Sequence, residues 1–475
     1  MRPLNIILLG GALISGATAE PSATAEPSAT PTVTFSAMPK AMQLYPRDVK
    51  SNKALVQISG TVATLGYDAI VVRVKQDGAK KPKTRKQKLK YKDGTAAFSI
   101  DTRIPAELKN HTFSVSLRKA KTEITVREAS GIVAGDVILI NGQSNAEARA
   151  FNGSANGNKR PFLRSFSGRR HDAGVANDLN WYEADGDMTN GDGAVGQWGL
   201  LLGSLIMDTY KVPVAIINGA IGGQPIGHYP RDANNHANLN TNYGRLLFRC
   251  RAAGVAQAAR AMFWYQGESD NGNADAHEEG FVALYQTWKE DYPALEKVYL
   301  MQLRAGCGVN QWDVTLRDRQ RLLPDKFPDM AVMSTTGINE HDGCHYAYAG
   351  YAKIGERLFG LAERDLYGKK SSDVVNPPNI ATASFSSPDH TEITLLTRDS
   401  SELKFQPGAE ADFRLEGVEG VSVISGTTEE NRIILTLSGD GQAATGIIYA
   451  GRAGQGAWVI NRNGIGLLAF RAKLN

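Results

Sequence analysis

The chain has 475 residues, of which 42% are hydrophobic and 21% charged, with a formal net charge of +4. That length exceeds a typical single domain, and the balance is that of an ordinary core-forming protein. So small an excess of positive charge does not point to nucleic acid, and none is expected as a partner.

Residues 1–19 read as a secretion signal: Arg2, an apolar run over 6–15, and Ala17-Thr18-Ala19 ahead of a cut before Glu20. The run is too short to span a bilayer well, and nothing later reaches its length. The mature protein is therefore expected to be secreted or periplasmic, with no stable membrane insertion after signal cleavage. Residues 20–33 follow, with AEPSAT repeated at 19–24 and 25–30. Pro, Ser, Thr and Ala bury little surface, so this stretch is expected to be a disordered linker.

Residues 34–132 look all-β. Alternating runs at 54–62, 69–74, 96–100 and 111–117, separated by turn residues, predict a small N-terminal β-sandwich domain. Between them lies a strongly basic run, residues 80–90. It reads as a solvated hairpin or loop, with an acidic-polymer site as the alternative.

From 133 to 370 the pattern changes. Apolar runs at 137–140, 212–217, 261–265, 298–303 and 331–333 alternate with helix-length segments at 197–210, 243–259, 281–291 and 346–361. This predicts an α/β domain whose parallel sheet is covered on both faces. In such sheets ligands bind beyond the carboxyl ends of the strands. The Asn- and Gly-rich stretch 151–193 reads as a long loop over those ends, a natural place for a substrate-binding surface. Residues 371–475 return to β character, with strands at 392–396, 432–437 and 446–450, and predict a second β-sandwich domain.

Cys250, Cys307 and Cys344 are too few for a disulfide scaffold, but an oxidising compartment permits one bridge. Cys307 and Cys344 both follow strand-like runs and can meet near the rim of the central domain; Cys250 lies in a helical pattern, as a buried thiol would. No Cys/His cluster has zinc-like spacing, and neither a metal nor another cofactor is expected.

Three short motifs fall at or after strand ends: Gly142-Gln143-Ser144-Asn145, Gln266-Gly267-Glu268-Ser269 and Asp342-Gly343-Cys344-His345. Gly142 permits a sharp turn that would present the Ser144 hydroxyl at the sheet edge. A free serine is a poor nucleophile and needs a base. The His345 imidazole can take that proton, while Asp342, three residues earlier, can orient the ring. The competing structural reading makes Ser144 a turn residue and Asp342 the cap of the helix that follows. Oxyanion donors are available from the glycine turn at Gly222 or Gly223 and from the Gln266 amide. Glu268 can orient Gln266 or Arg149, contact sugar hydroxyls, or replace Asp342 as the acid. Trp181, Tyr182, Trp198, Tyr229 and Trp312 are candidate sugar platforms, each as readily a core residue.

In these motifs, in their order, and in Gly222-Gly223-Gln224-Pro225-Ile226, the chain resembles the SGNH hydrolase superfamily, specifically the sialate O-acetylesterase-like carbohydrate esterases. The resemblance covers roughly 133–365. It implies a flavodoxin-like three-layer hydrolase domain with Ser144 as nucleophile, His345 as base and Asp342 or Glu268 as the acid. It implies the Ser144 N–H, Gly222 or Gly223, and Gln266 as the oxyanion hole. Gln143, Asn145 and Arg149 are expected to contact substrate. The expected activity is removal of acetyl esters from a poly- or oligosaccharide, such as acetylated xylan or O-acetyl sialic acid, through an acetyl-enzyme. The alternatives are a general esterase or lipase of the same superfamily and a non-catalytic glycan-binding protein.

Overall fold

The computed structural model describes residues 31–370, 374–398, 402–451 and 456–475. The expected signal at 1–19 and most of the expected linker lie outside the described residues; Val33 already begins the first strand. No helix among the described residues is long and apolar enough to cross a membrane.

The chain opens with β1 (Val33–Ala37), β2 (Leu44–Pro46), β3 (Lys53–Val62), β4 (Ala69–Gln76), β5 (Lys83–Lys88), β6 (Ala96–Pro105) and β7 (His111–Lys119). β1, β3 and β6 form an antiparallel sheet, while β5, β4 and β7 join a larger one. In β6 burial alternates strictly, placing Phe98, Ile100 and Ile104 in one apolar cluster with Val56 and Ile58 of β3 and with Val72 and Val115 of β4 and β7. That period of two is what a half-buried strand requires. The basic run forms β5, an edge strand that among the described residues pairs only with β4.

β8 (Thr122–Gly142) is the spine of the molecule. Its first half pairs antiparallel with β7 and is largely exposed; from Ile132 onward every residue is buried. There it becomes a central strand of a parallel run with β9 (Leu163–Phe166), β11 (Val214–Asn218), β12 (Ala261–Tyr265), β13 (Lys297–Met301) and β14 (Met330–Met333), in the order β9-β11-β8-β12-β13-β14. β10 (Trp181–Glu183) closes one edge antiparallel to β9. The protein is thus mixed α/β, with one large mixed sheet and further β-sheet regions. One expectation is corrected here: the stretch 151–193 is not a long loop, because β9 and β10 extend the sheet within it.

Alternation sorts the core. Ile138 and Ile140 pack with α2 (Gln197–Tyr210) and α6 (Tyr348–Leu366), whereas Val137 and Leu139 pack with α3 (Asn242–Ala252) and α4 (Ala274–Asp291). Two helical layers therefore cover the two faces, which is why these strands read as continuous apolar runs. α1 (Ser144–Glu147) is a single turn after β8, and α5 (Thr315–Lys326) precedes β14.

The C-terminal strands are β15 (Ile380–Phe385), β16 (Glu392–Thr397), β17 (Leu403–Phe405), β18 (Phe413–Glu416), β19 (Val423–Glu429), β20 (Arg432–Leu437), β21 (Gly446–Tyr449), β22 (Val459–Asn461) and β23 (Phe470–Lys473). They form three small sheets around one apolar cluster. Buried Gln302 ties them to the central sheet, donating to Ala469 O at 2.8 Å and accepting from its N–H at 2.9 Å. On the other side, buried Asp136 of β8 accepts from Arg47 at 2.8 and 2.9 Å, from Arg260 at 3.1 Å and from the Tyr367 hydroxyl at 2.7 Å.

Candidate active site

The last residue of β8 sets the geometry. Gly142 has φ +132°, and a Cβ there would lie 2.1 Å from Tyr265 O of β12. Only glycine allows the two strand ends to approach this closely. The chain then turns: Gln143 N–H donates to Tyr265 O at 2.9 Å, and Ser144 opens α1, partly exposed. Ser144 lines a cavity of about 850 Å³ together with Asp342, His345, Glu268, Gly222, Gly223 and Arg149. Segments far apart in sequence thus meet at the carboxyl ends of the strands.

The loop carrying Asp342 and His345 is tightly turned. The Asp342 Oδ1 accepts the backbone N–H groups of Cys344 and His345, each at 2.7 Å. These bonds hold its carboxyl below the usual carboxylate range, with His345 the largest cause. The other oxygen lies 4.0 Å from His345 Nδ1. A disulfide joins Cys344 to Cys307, and the His345 Nε2 rests 3.6 Å from Cys344 Sγ. Cys250 is a buried free thiol.

Gln143 lines the cavity, yet its amide and that of Asn145 are bonded within the protein. The Gln143 Oε1 accepts from Gly267 and Ser269 N–H, both at 3.3 Å. The Asn145 Nδ2 donates to Glu268 Oε1 at 2.9 Å and to Cys344 O at 3.2 Å, and its Oδ1 accepts from the Tyr351 hydroxyl at 3.0 Å. Asn145 therefore knits the three motifs together and does not line the cavity. Glu268 is buried, which raises its pKa against the pull of Asn145; its Oε2 reaches no partner among the described residues.

The expected oxyanion donors separate into two kinds. Gly223 is exposed at the cavity with φ +71°. The Gly222 N–H is instead donated to Glu147 Oε1 at 3.0 Å. The Gln266 side chain is fully buried and does not line the cavity; its amide donates to Gln224 O and to Asp270 Oδ2. It braces the Gln224 turn, because two acceptors already hold its N–H groups.

Glu147, which the sequence did not flag, lies one helical turn beyond Ser144, its side chain buried. Burial alone would raise its pKa, but His171, Arg169, Arg149 and the Gly222 N–H outweigh it and bring it to about 2. Arg149 Nε is 2.8 Å away, Arg169 Nη1 3.3 Å and His171 Nε2 3.4 Å. Burial brings Arg169 down to about 10, with Glu147 opposing. Of these, Arg149 and His171 line the cavity. Among the aromatic candidates, Trp181, Trp198 and Tyr229 are buried. Trp198 donates to Asn145 O and Tyr229 to Gly142 O, at 2.9 and 2.8 Å, so both support the serine turn from within. Trp312 stacks under Arg414, 4.2 Å from its ring centre. Phe151, half-exposed, is an aromatic that does line the cavity.

Residues 134–363 match the family described as carbohydrate esterase, sialic acid-specific acetylesterase. Among solved structures, a carbohydrate acetylesterase from Xanthomonas citri is similar with a TM-score of 0.63 at 20% identity, over 93% of this chain and 99% of that one. At that identity the likeness shows a shared fold. A protein from Arabidopsis thaliana matches at 19% identity and TM-score 0.38, over 49% of this chain and 98% of its own. No curated protein matches.

Proposed function

We propose that this chain, whose residues 134–363 belong to the sialic acid-specific acetylesterase family of carbohydrate esterases, removes acetyl groups from an extracellular or periplasmic glycan through an acetyl-enzyme on Ser144. The observation that carries the reading is the shared cavity: Ser144 stands at a glycine-enforced turn, and Asp342 and His345 line the same cavity. His345 takes the Oγ proton as that oxygen attacks the acetyl carbonyl, and returns it to the departing sugar hydroxyl. Water, activated by the same ring, then releases acetate. Asp342 is favoured over Glu268 as the acid that orients His345. It faces Nδ1 and is held ionised, whereas burial works against charge on Glu268, whose near oxygen is taken by Asn145. The oxyanion is assigned to the N–H groups of Ser144 and Gly223, since those of Gly222 and Gln266 are engaged elsewhere.

Within this reading, 133–370 is an SGNH-type hydrolase domain and 34–132 and 371–475 are β-sandwich domains, supported by the separate apolar clusters of the two flanks. Export rests on the signal-like residues 1–19. The test is acetate release by wild type and Ser144→Ala from acetylated xylan, acetylated mannan, acetylated xyloglucan and O-acetyl sialosides. Wild type should act on one class, and the variant should lose roughly a thousandfold or more with its fold intact. Comparable turnover by both would overturn the assignment.

A further inference from the structure

Residues 80–90 carry seven cations and no acidic residue. All seven are exposed, and none joins an ion pair among the described residues. On the adjoining strand, by contrast, Arg73 pairs with Glu123 at 2.6 Å. Lys83, Arg85, Lys86 and Lys88 sit on β5, whose outer edge has no partner strand among the described residues. We propose that this edge is a docking rail for an anionic polysaccharide, which the rail holds while its acetyl groups reach the distant Ser144 cavity. The choice of polysaccharide among polyanions rests on the esterase reading above.

The six extended residues of β5 reach about 20 Å, which presents a line of charge suited to a linear chain of repeating anionic sugars. Its distance from the cavity follows from the register. Arg85 lies beside Val72, Val72 beside Val115, and Val115 beside Arg127 of β8. From residue 127 to 142 β8 spans at most about 50 Å. A linear polymer is long enough to follow this path and occupy rail and cavity together.

Lysines also blunt exposed sheet edges against pairing with another chain. One or two suffice for that, and Pro82 already serves it, so the remaining charge is surplus to edge protection. A membrane surface is disfavoured because the run exposes no large apolar side chain to enter the lipid boundary. The run also has no aromatic ring on which single-stranded bases would stack.

The test uses the full chain with Lys83, Arg85, Lys86 and Lys88 all changed to Glu. Glutamates still blunt the edge, so the variant separates protection from binding, and its melting temperature reports whether the fold survives. Should it fail to fold, a Lys86→Ser/Lys88→Ser variant takes its place. Retardation in native gels containing polygalacturonate, which bears no acetyl ester, reads binding without catalysis. Wild type should be retarded, with the effect falling as salt rises, and the quadruple variant should bind about tenfold or more weakly. Turnover of p-nitrophenyl acetate should be the same for both. Equal retardation of wild type and variant would overturn the proposal. So would tighter wild-type binding to phosphatidylglycerol vesicles or to DNA than to the polyuronate. Failure of the esterase reading would show separately, as no acetate release despite intact polymer binding.

Discussion

The Cys307–Cys344 disulfide can be tested as the clamp of the candidate catalytic loop. It closes a loop with a sequence separation of 37. Chain-entropy loss in the unfolded state would then stabilise the fold by about 4 kcal/mol. Against this stands the left-handed backbone of Cys307, with φ +56°, which costs about 1–2 kcal/mol and relaxes when the bond is lost. A Cys307→Ser/Cys344→Ser variant should therefore lose about 2–3 kcal/mol, an apparent melting shift of several degrees. The effect on turnover should be larger than the stability loss suggests. Asp342 and His345 are both more than a third exposed, and few other bonds hold their loop, chiefly Asn145 to Cys344 O at 3.2 Å. We expect kcat to fall about tenfold with little change in KM, because the loop would spend less time in the aligned geometry. Acetate release with thermal melting measures both effects. A dithiol reductant applied to wild type should reproduce them, and Cys250→Ser should not. If the double variant melts and turns over like wild type, the clamp is refuted.

Two further outcomes follow from the serine turn. Gly142→Ala places a Cβ against Tyr265 O at a backbone angle that alanine avoids, and should cost about 3 kcal/mol or more and abolish turnover; chemical unfolding and an activity assay would show both. Glu147 has a folded pKa of about 2 against a usual 4.5. Because it is depressed, its contribution, of order 3 kcal/mol, is fully present above pH 4.5 and drains away as pH falls towards 2. Glu147→Gln should flatten that acid limb in a stability-versus-pH series while lowering stability at pH 7, and an unchanged acid limb would contradict the assignment.

Much of the scaffold was legible because its driving forces are periodic. The segment 197–210 coincides with α2, and the buried strands announced themselves as apolar runs. β9 and β10 did not, since strands of four and three residues amid Gly and Asn are too short to show alternation. α5 was hidden by its many charged residues and an internal Pro324. At the site, strand ends and glycine turns marked where Ser144, Asp342 and His345 would gather. Sequence could not show which polar groups were already engaged. Gln266 and Gly222 read as free donors, yet each is held by a protein acceptor. Glu147 and Arg169 drew no notice in the sequence because their mutual neutralisation, which allows both to be buried, exists only in three dimensions. The pair Glu147 and Arg149 immediately after the serine was the available hint.

β8 enters beside β7, passes Asp136, and ends at the turn that presents Ser144. The unit matched by the family model begins inside that strand, at residue 134. A recombination event that exchanged the flank would have to splice through a continuous strand and restore two registers at once, with β7 on one half and with β11 and β12 on the other. The basic edge and the serine turn are therefore expected to travel through descent as a single heritable unit, and surveys of related chains should find them gained or lost together.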